Sequence, residues 1–586
     1  MKKIFLLTFL LFQSLSWAQN GNIRGGIYDA ENGEFLQGVK VQINGTSYLT
    51  ITDIEGKFDL SCEPGTYTLY FKFAGYQTDS LSEVNVTGGG VTILDDFGLN
   101  KRVQTTKNFV IKREQKKNTE GAMLSMKLKS PNMIDGISSA AFRNTGDNDA
   151  ASAMRRVTGV SVADGKYVFI RGIGDRYNKT ILNGMDIPGL DPDRNSLQMD
   201  IFPTNVLDNL IVNKTFIPEL PADFAGGIID IGLKGFTDKK VSSAFISGAY
   251  NPNFHFNQNY LNYEGGKLDF LGFDNGAREI PAINNIPLFA QVVGNPNSTL
   301  GERYQDILGS FNPTLGAYQQ MSLMNFGLGY TFADQKKKEK YAIGYQLALN
   351  YSNNTEYYED VTYGRYGLSG DNSVNQLEER VLQKGNLGVN SVLGAILGGI
   401  AIKGMNYKIQ LSALHLQNGE SNAGIFQYTS RDQGADFDAF QHNLGYSQKG
   451  LTNFQLSGLH KTKNDHWKIE WKISPTRSTI KDPDNRITRY EYRGTGYAIS
   501  TETGFPERIW RDLKEDNLSS KVDFERSMKF LKEDAKLKFG FANTYKERDY
   551  VIRNFMINVR GDIALTGNPD ELFTEANLWP YNGDIT

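Results

Sequence analysis

Between Asp149 and Ile231 the chain passes through five short blocks in a fixed order, and each stops at a glycine or a polar turn. The first, Ala150-Ala151-Ser152-Ala153-Met154-Arg155-Arg156-Val157-Thr158, reads as a short helix and runs into Gly159-Val160-Ser161-Val162. Tyr167–Ile170 reads as a strand closed by Arg171-Gly172, and Thr180–Leu182 as a strand closed by Asn183-Gly184. Val206–Val212 is a further strand, and Phe224-Ala225-Gly226-Gly227-Ile228 leads into the last. Glycine enters left-handed backbone and permits close backbone approach, so these residues mark where elements end. Gly172-Ile173-Gly174 is not followed by a lysine at Walker spacing or set in a Rossmann unit, so it reads as a turn and not as a phosphate cradle. Asp186, Asp191, Asp193 and Arg194 gather around Pro188 and Pro192. Such carboxylates could hold calcium or form a solvated loop.

In this order, "Gly-Val-x-Val", "Ile-Arg-Gly", "Leu-Asn-Gly", a strand and "Gly-Gly-x-Ile" resemble the plug domain of TonB-dependent outer-membrane receptors. The resemblance implies a plug over 121–236, with Arg171, Gly172, Gly184, Gly226 and Gly227 as its motif residues. Gly226-Gly227 is expected to pass close to the barrel wall, where a side chain would clash.

The N-terminus reads as an export signal. Lys2 and Lys3 precede the apolar run Ile4–Leu15, and Ser16-Trp17-Ala18 offers small residues for cleavage, giving a signal peptide over 1–18. The run is short of the about twenty apolar residues a spanning helix needs. With a single cysteine, Cys62, no internal disulfide can form, and that residue is expected to be structural. A balance of 63 basic against 66 acidic residues, net −3, argues against a nucleic-acid partner. Aromatic residues make up 12% and glycines number 60. In an exported chain with no later apolar helix, that composition points to a transmembrane β-barrel, whose apolar face is hidden by alternation.

Residues 21–99 read as a β unit. Strands are expected at Ile23–Asp29, Gly38–Ile43 and after Thr52–Phe58, with a Pro64-Gly65 turn entering Thr66–Phe71 and Ala74-Gly75-Tyr76-Gln77 closing the motif. This resembles the carboxypeptidase-regulatory-like, transthyretin-type sandwich that precedes receptors of Bacteroidetes, and the name implies no peptidase chemistry. Residues 100–120 form a basic linker holding one apolar patch, Phe109-Val110-Ile111. An extended apolar segment can add itself to a partner's sheet edge. The receptor resemblance implies that TonB takes such a segment, and a spare strand docking on the sandwich is the other reading.

From 241 to 586 the pattern is that of an antiparallel barrel. Tyr341, Ile343, Tyr345, Leu347, Leu349 and Tyr351 share one face. So do Met324, Phe326, Leu328, Tyr330 and Phe332; Trp467, Ile469, Trp471 and Ile473; and Leu537, Phe539, Phe541 and Tyr545. Tyr341 and Tyr351 stand roughly 33 Å apart along a strand at about 3.3 Å per residue. At a tilt near 45° this is roughly 24 Å, close to the apolar band between aromatic girdles. Short turns are expected at Ala333–Glu339, Lys403–Met405, Lys463–Asp465 and Leu531–Asp534. Long outer loops are expected at Asn251–Gln320, Asn353–Asn386, Asn418–Gly450 and Pro475–Asn517. About nine strands fit between Val241 and Tyr550, fewer than the about twenty-two of plugged transporters. The chain is therefore expected to carry an incomplete barrel and to be an N-terminal fragment.

No catalytic motif stands out. There is no Gly-x-Ser-x-Gly, no Cys/His pair and no metal spacing among His255, His415, His442, His460 and His466, so no enzyme activity, metal or cofactor is expected. His255 and His442 lie in expected outer loops and could touch a ligand. Tyr357, Tyr358, Tyr363 and Tyr366, with Tyr490, Tyr492, Arg493, Tyr497 and Trp510, form either a capture surface or a barrel rim. The fold expected is mainly β: sandwich, α+β plug, then barrel, in outer-membrane lipid. The function implied by the resemblance is uptake of a scarce ligand driven by the TonB-ExbB-ExbD complex. Ferric siderophore, cobalamin, glycan and peptide all remain open as ligands. A passive porin or a surface adhesin is the alternative.

Overall fold

The computed structural model describes residues 20–30, 33–101, 119–194, 197–236, 240–281, 285–295, 297–371, 373–431, 436–462, 466–494, 496–531, 533–559, 565–574 and 577. The expected signal peptide and the segment Phe109–Ile111 lie outside the described residues.

The N-terminal unit is a two-sheet sandwich. Its strands are β1 (Gly21–Asp29), β2 (Lys40–Ile43), β3 (Leu49–Ile51), β4 (Lys57–Cys62), β5 (Gly65–Lys72), β6 (Asp79–Val86), β7 (Val91–Ile93) and β8 (Phe97–Leu99). One sheet runs β4-β1-β7 with β8 also on β1, and the other runs β3-β2-β5-β6. Alternate residues point between the sheets, so Ile23, Ile27, Val41, Ile43, Leu69 and Phe71 close one apolar core. Cys62 is buried in it.

The second unit opens with a helix, Glu120–Lys129, which the sequence pattern does not signal. Two short helices follow, Ser139–Thr145 and Ala150–Met154, capped by the side chains of Ser138 and Asp149. Its strands are β9 (Ile134–Ser138), β10 (Val160–Ala163), β11 (Tyr167–Ile170), β12 (Asn178–Leu182), β13 (Met185–Asp186), β14 (Leu207–Asn213) and β15 (Gly227–Leu233). Five of them form a mixed sheet in the order β13-β12-β15-β14-β9, and β10 pairs with β11 as a hairpin.

The third unit is a single antiparallel sheet. Strand β16 (Val241–Ala249) leads to a long connection carrying the small pair β17 (Leu261–Asn262) and β18 (Tyr318–Gln319). Then come β19 (Asn325–Lys337), β20 (Tyr341–Leu368), β21 (Leu377–Gly404), β22 (Tyr407–Ser430), β23 (Phe437–Lys461) and β24 (Trp467–Tyr492). After the short β25 (Tyr497–Ala498), β26 (Glu507–Phe530) and β27 (Glu533–Met556) complete it. Each long strand pairs with its sequence neighbour, and among the described residues the sheet stays open between β16 and β27.

The faces alternate as the period of two requires. Leu328, Leu347, Ile473, Leu537 and Phe539 are exposed on the convex face, and Phe541 is 68% exposed. Their neighbours Ala348 and Ser474 are buried on the concave face. No helix among the described residues is long and apolar enough to cross a membrane, which leaves crossing by strands untouched.

The outer loops differ from expectation. Asn353–Asn386, Asn418–Gly450 and Pro475–Asn517 are mostly strand, and the tips between strands shrink to 369–376, 431–436 and 493–506. The ladder continues past the apolar band because backbone pairing needs no apolar side chains, and polar residues on both faces hid the strands from a hydropathy reading. Only Asn251–Gln320 is a long connection, and it folds against the extended strands on the face away from the second unit. Lys449 donates to Gln198 of that unit, whereas its neighbour Gln448 accepts from the Asp274 backbone. The extended strands are thereby covered on the far side too, and Tyr357 and Tyr446 are 2% and 1% exposed.

Candidate functional site

The second unit sits on the concave face of the sheet. Its core residues Leu182, Leu190, Phe202, Leu207 and Ile231 share one apolar cluster with Ala348, Ala395, Leu397, Leu414, Leu416, Leu451, Ile480 and Leu513 of the sheet. Register builds this surface: Ala348 lies opposite Leu397, which lies opposite Leu414, and Ala395 opposite Leu416, which lies opposite Leu451. Two apolar rows thus cross the inner wall at one height.

Polar contacts surround these rows. Asn183 is the densest: its side-chain amide donates to Gln455 Oε1 at 3.0 Å, its carbonyl accepts from Lys472 Nζ at 3.0 Å, and its Oδ1 accepts from the Leu233 amide at 2.9 Å. Asn183 has φ +49° and Gly184 φ +79°, so the Leu-Asn-Gly turn is a left-handed pair pressed to the wall. Lys166 meets Glu420 at 2.6 Å, Asn205 donates to the Leu349 carbonyl at 2.9 Å, and Ser519 donates to the Asp186 carbonyl at 3.1 Å. Lys538 and Lys546 reach Glu219 and Asp186 at 2.8 and 3.3 Å.

The expected motif residues have internal duties as well. Arg171, at φ +56°, donates to the Lys214 carbonyl, and Gly172 follows at φ +72°. Gly226 and Gly227 depart from expectation. A side chain on Gly226 would strike Asn178 Oδ1, and one on Gly227 would strike the Asn213 carbonyl and Ile170. Both obstacles belong to the same unit, so the close approach is between its own strands and not to the wall. Gly184 is the motif glycine that faces the wall, with Lys472 Nζ 3.5 Å from where a Cβ would lie.

Above the apolar rows, toward the extended strands, lies a cavity of 1420 Å³. Its floor comes from Asp149, Lys166, Tyr167, Gln198 and Asp200, and its wall includes Asn350, Asn354, Glu356, Asn418, Glu420 and Lys449. Ion pairs hold much of its charge: Lys166 with Glu420, Arg194 with Asp164 at 3.3 Å, and Arg511 with Asp193 at 3.4 Å. Burial and the Asp191 carboxylate, which accepts from the Tyr167 hydroxyl, push that phenol up. Burial raises the Asp200 carboxyl to about 6, against the opposing pull of Lys166 and Lys449.

Several expected contact residues point elsewhere. His255, 3% exposed, accepts from the Asn251 amide at 2.8 Å through Nδ1 and meets Asn325 and the Thr355 carbonyl through Nε2. His442 is likewise enclosed between the Ala317 amide and the Tyr490 hydroxyl. Trp510 is buried against Phe311 and Phe555 and donates to the Arg278 carbonyl at 2.9 Å. These side chains secure the connection 251–320 and the tips to the sheet, which removes them from any ligand surface. Tyr358 and Tyr363 do line the cavity. Asp191 and Asp193 line it too, one held by Tyr167 and the other by Arg511.

Gln198, Asp200 and the inward lysines were not singled out from sequence, and Asn183 was read only as part of the Leu-Asn-Gly turn. The available signal was a long polar residue at an inward strand position, as at Lys449 and Lys472.

Residues 23–111 match the CarboxypepD_reg-like domain family, and residues 126–227 match the TonB-dependent Receptor Plug Domain family. No curated protein matches the chain. Among solved structures it is similar to the RagAB peptide importer, at 10% identity over 71% of this chain and 56% of that one, with a TM-score of 0.31. It is also similar to the siderophore receptor PiuA from Acinetobacter baumannii, at 10% identity over 72% and 62%, TM-score 0.27. The ferripyoverdine receptor of Pseudomonas aeruginosa gives 11% identity over 75% and 54%, TM-score 0.28. The chain thus spans between 54% and 62% of the length of these structures. It carries a CarboxypepD_reg-like domain and a TonB-dependent receptor plug domain, and the antiparallel sheet is the wall against which that plug is seated.

Proposed function

We propose that the protein imports a scarce ligand across the outer membrane, with the cavity above the plug as its binding site and a periplasmic TonB-ExbB-ExbD complex as its source of work. The observation that carries this reading is the seating of the plug. It covers the concave face beneath a polar cavity, so on the side that the sheet encloses it stands in the way of a ligand bound there. Outside the apolar contact, single hydrogen bonds and ion pairs hold it, the neutral ones worth on the order of 0.5–1.5 kcal/mol net and the charge-assisted ones about 1.5–3 kcal/mol, because water can replace the partner. Such contacts can be broken one at a time by a pull from below.

The handle we propose for that pull is Phe109-Val110-Ile111, at the C-terminal end of the regulatory-like match and ahead of the plug. Strand addition uses backbone bonds that proline cannot make. Val110→Pro is expected to abolish energised uptake while leaving ligand binding at the cell surface intact. Unchanged uptake would refute this handle and move it to Thr119–Met126. A passive porin has no use for a plug held this way. Uptake that persists without TonB would favour the porin.

A further inference from the structure

We propose that the cavity above the plug is an electronegative seat for a cationic group, a protonated amine of the transported ligand, with Asp200 as its contact. This rests on the uptake reading and names the ligand class for the same site.

The charge count comes first. Eight carboxylates line the cavity against five cations. Three of those cations are held in ion pairs with acids of the same cavity, and a fourth, Lys449, donates to Gln198 at 2.8 Å. The fifth, Arg155, lies within electrostatic reach of Asp149. An anionic ligand would therefore find its cations already engaged and an excess of negative charge around them. A cleft lined by one sign of charge focuses its field on the ligand.

The second observation is an orphan acceptor. Asp200 Oδ1 is enclosed and meets no donor among the described residues. A buried acceptor without a donor costs on the order of 1–3 kcal/mol, and a donor brought by a ligand recovers it. Asp200 faces Lys166, Lys449, Glu420 and Asp149. Three carboxylates against two lysines leave that group net negative. A sugar hydroxyl would satisfy the hydrogen bond and leave the charge, whereas an ammonium satisfies both. Raised by burial to about 6, the Asp200 carboxyl is ionised at neutral pH and loses its charge in mild acid.

The test uses the full chain in detergent micelles at low salt, titrated calorimetrically with tetralysine, its fully acetylated form and ferric citrate. Tetralysine should bind at about pH 7.5, and acetylation should weaken binding by roughly tenfold or more. Asp200→Asn should weaken it by a similar factor. The wild type at about pH 5 should approach the variant. Asp438→Asn, an exposed carboxylate at a strand tip, should change nothing and reports non-specific attraction. If Asp200→Asn does not fold, the acetylated probe and the pH pair still decide. Equal binding of acetylated and free peptide, preference for ferric citrate, or no effect of Asp200→Asn overturns the assignment. If ferric citrate is preferred and its uptake still fails in Val110→Pro cells, the ligand class falls and the uptake reading stands.

Discussion

Two small units rest against the same sheet, and they are attached in opposite ways. The sandwich closes its own core: all fourteen residues of its buried apolar cluster lie between Ile23 and Leu99. Among the described residues it meets the sheet at the short-turn rim, through polar and charged contacts: the Gln37 amide donates to the Met405 carbonyl and to Asn406, and ion pairs stand beside it. Glu55 is gripped by Lys403 at 2.6 Å and Lys408 at 2.7 Å, Asp53 meets Lys403 at 2.9 Å, and the Ile54 carbonyl accepts from Lys461 at 3.1 Å. The plug does not close its core, which takes in eight side chains of the wall. A unit with its own core can be displaced whole. A unit that shares its core is loosened only by giving up apolar contact. The comparison separates the part that can be displaced whole from the part that cannot leave without breaking apolar contact.

The largest expected effect tests the independence of the sandwich. Phe71 is fully buried and stacks on Phe97 at 4.7 Å, so Phe71→Ala should cost about 3–5 kcal/mol. Denaturant unfolding should show that loss in the sandwich, while protease resistance of the plug stays as in the wild type. If both fall together, the two units unfold as one and the distinction fails.

Next comes the wall on which the plug depends. Ile469→Arg or Trp471→Arg on the convex face should destabilise the strand in lipid by up to about 2–4 kcal/mol, the mid-bilayer limit for arginine. Gel mobility with and without heating should then report lost assembly, and the plug should become protease-sensitive while the sandwich survives. Glu470→Lys, on the concave face, should assemble. Equal tolerance of all three would undo the assigned strand phase.

A smaller effect concerns the rim. Glu55→Gln removes a charge held by two lysines, and charge-assisted bonds contribute about 1.5–3 kcal/mol. Spin labels on the sandwich and on the 405–406 turn should move apart, with the plug unaltered. The pH dependence has a definite sign. Burial would raise the Glu55 carboxyl, but Lys403 and Lys408 outweigh it and hold it well below the ordinary carboxylate range. The Glu55 contribution to docking is therefore complete above the ordinary carboxylate pKa and is lost as pH falls toward the depressed value, whereas burial raises the neighbouring Asp53 carboxyl, whose contribution goes first. The label distance should be constant from about pH 8 to about pH 5 and lengthen in stronger acid.

The smallest effect is local to the plug. Ser138 accepts from the Ala141 amide at 3.3 Å as a helix cap, and Ser138→Ala should cost about 1 kcal/mol. Hydrogen exchange should quicken over Ser139–Thr145 and nowhere in the sandwich. Exchange that quickens in both would join the units again.

The order of units was legible before any coordinate, because glycine-closed blocks and alternating aromatics are local signals. Nine strands are expected and nine long ones are found among the described residues. The inward and outward phases at Tyr341–Ser352 and Trp467–Ser474 also agree, since a period of two leaves no third choice. The strand ends were not legible. Where Asn353–Tyr358 and Asn418–Tyr428 leave the apolar band, polar residues interrupt the alternation and the signal ends although the ladder does not. The histidines misled for a related reason. Sequence placed His255 and His442 in loops, and it could not show that the connection 251–320 folds back and encloses them.

By itself, then, the sequence determined what repeats or closes locally: the blocks of the plug, the alternation of the wall, and the apolar pattern of the sandwich. Only the tertiary structure decided which neighbour each side chain meets. Gly226 and Gly227 make room for the plug's own strands, Asn183 reaches the wall, and Asp200 Oδ1 meets no donor among the described residues, beneath a cavity ringed by carboxylates. The physical reason is range. Backbone preference and hydropathy period are set within a few residues, whereas Lys449 meets Gln198 and Lys166 meets Glu420 across some 250 residues of chain, through a register that only the assembled sheet supplies.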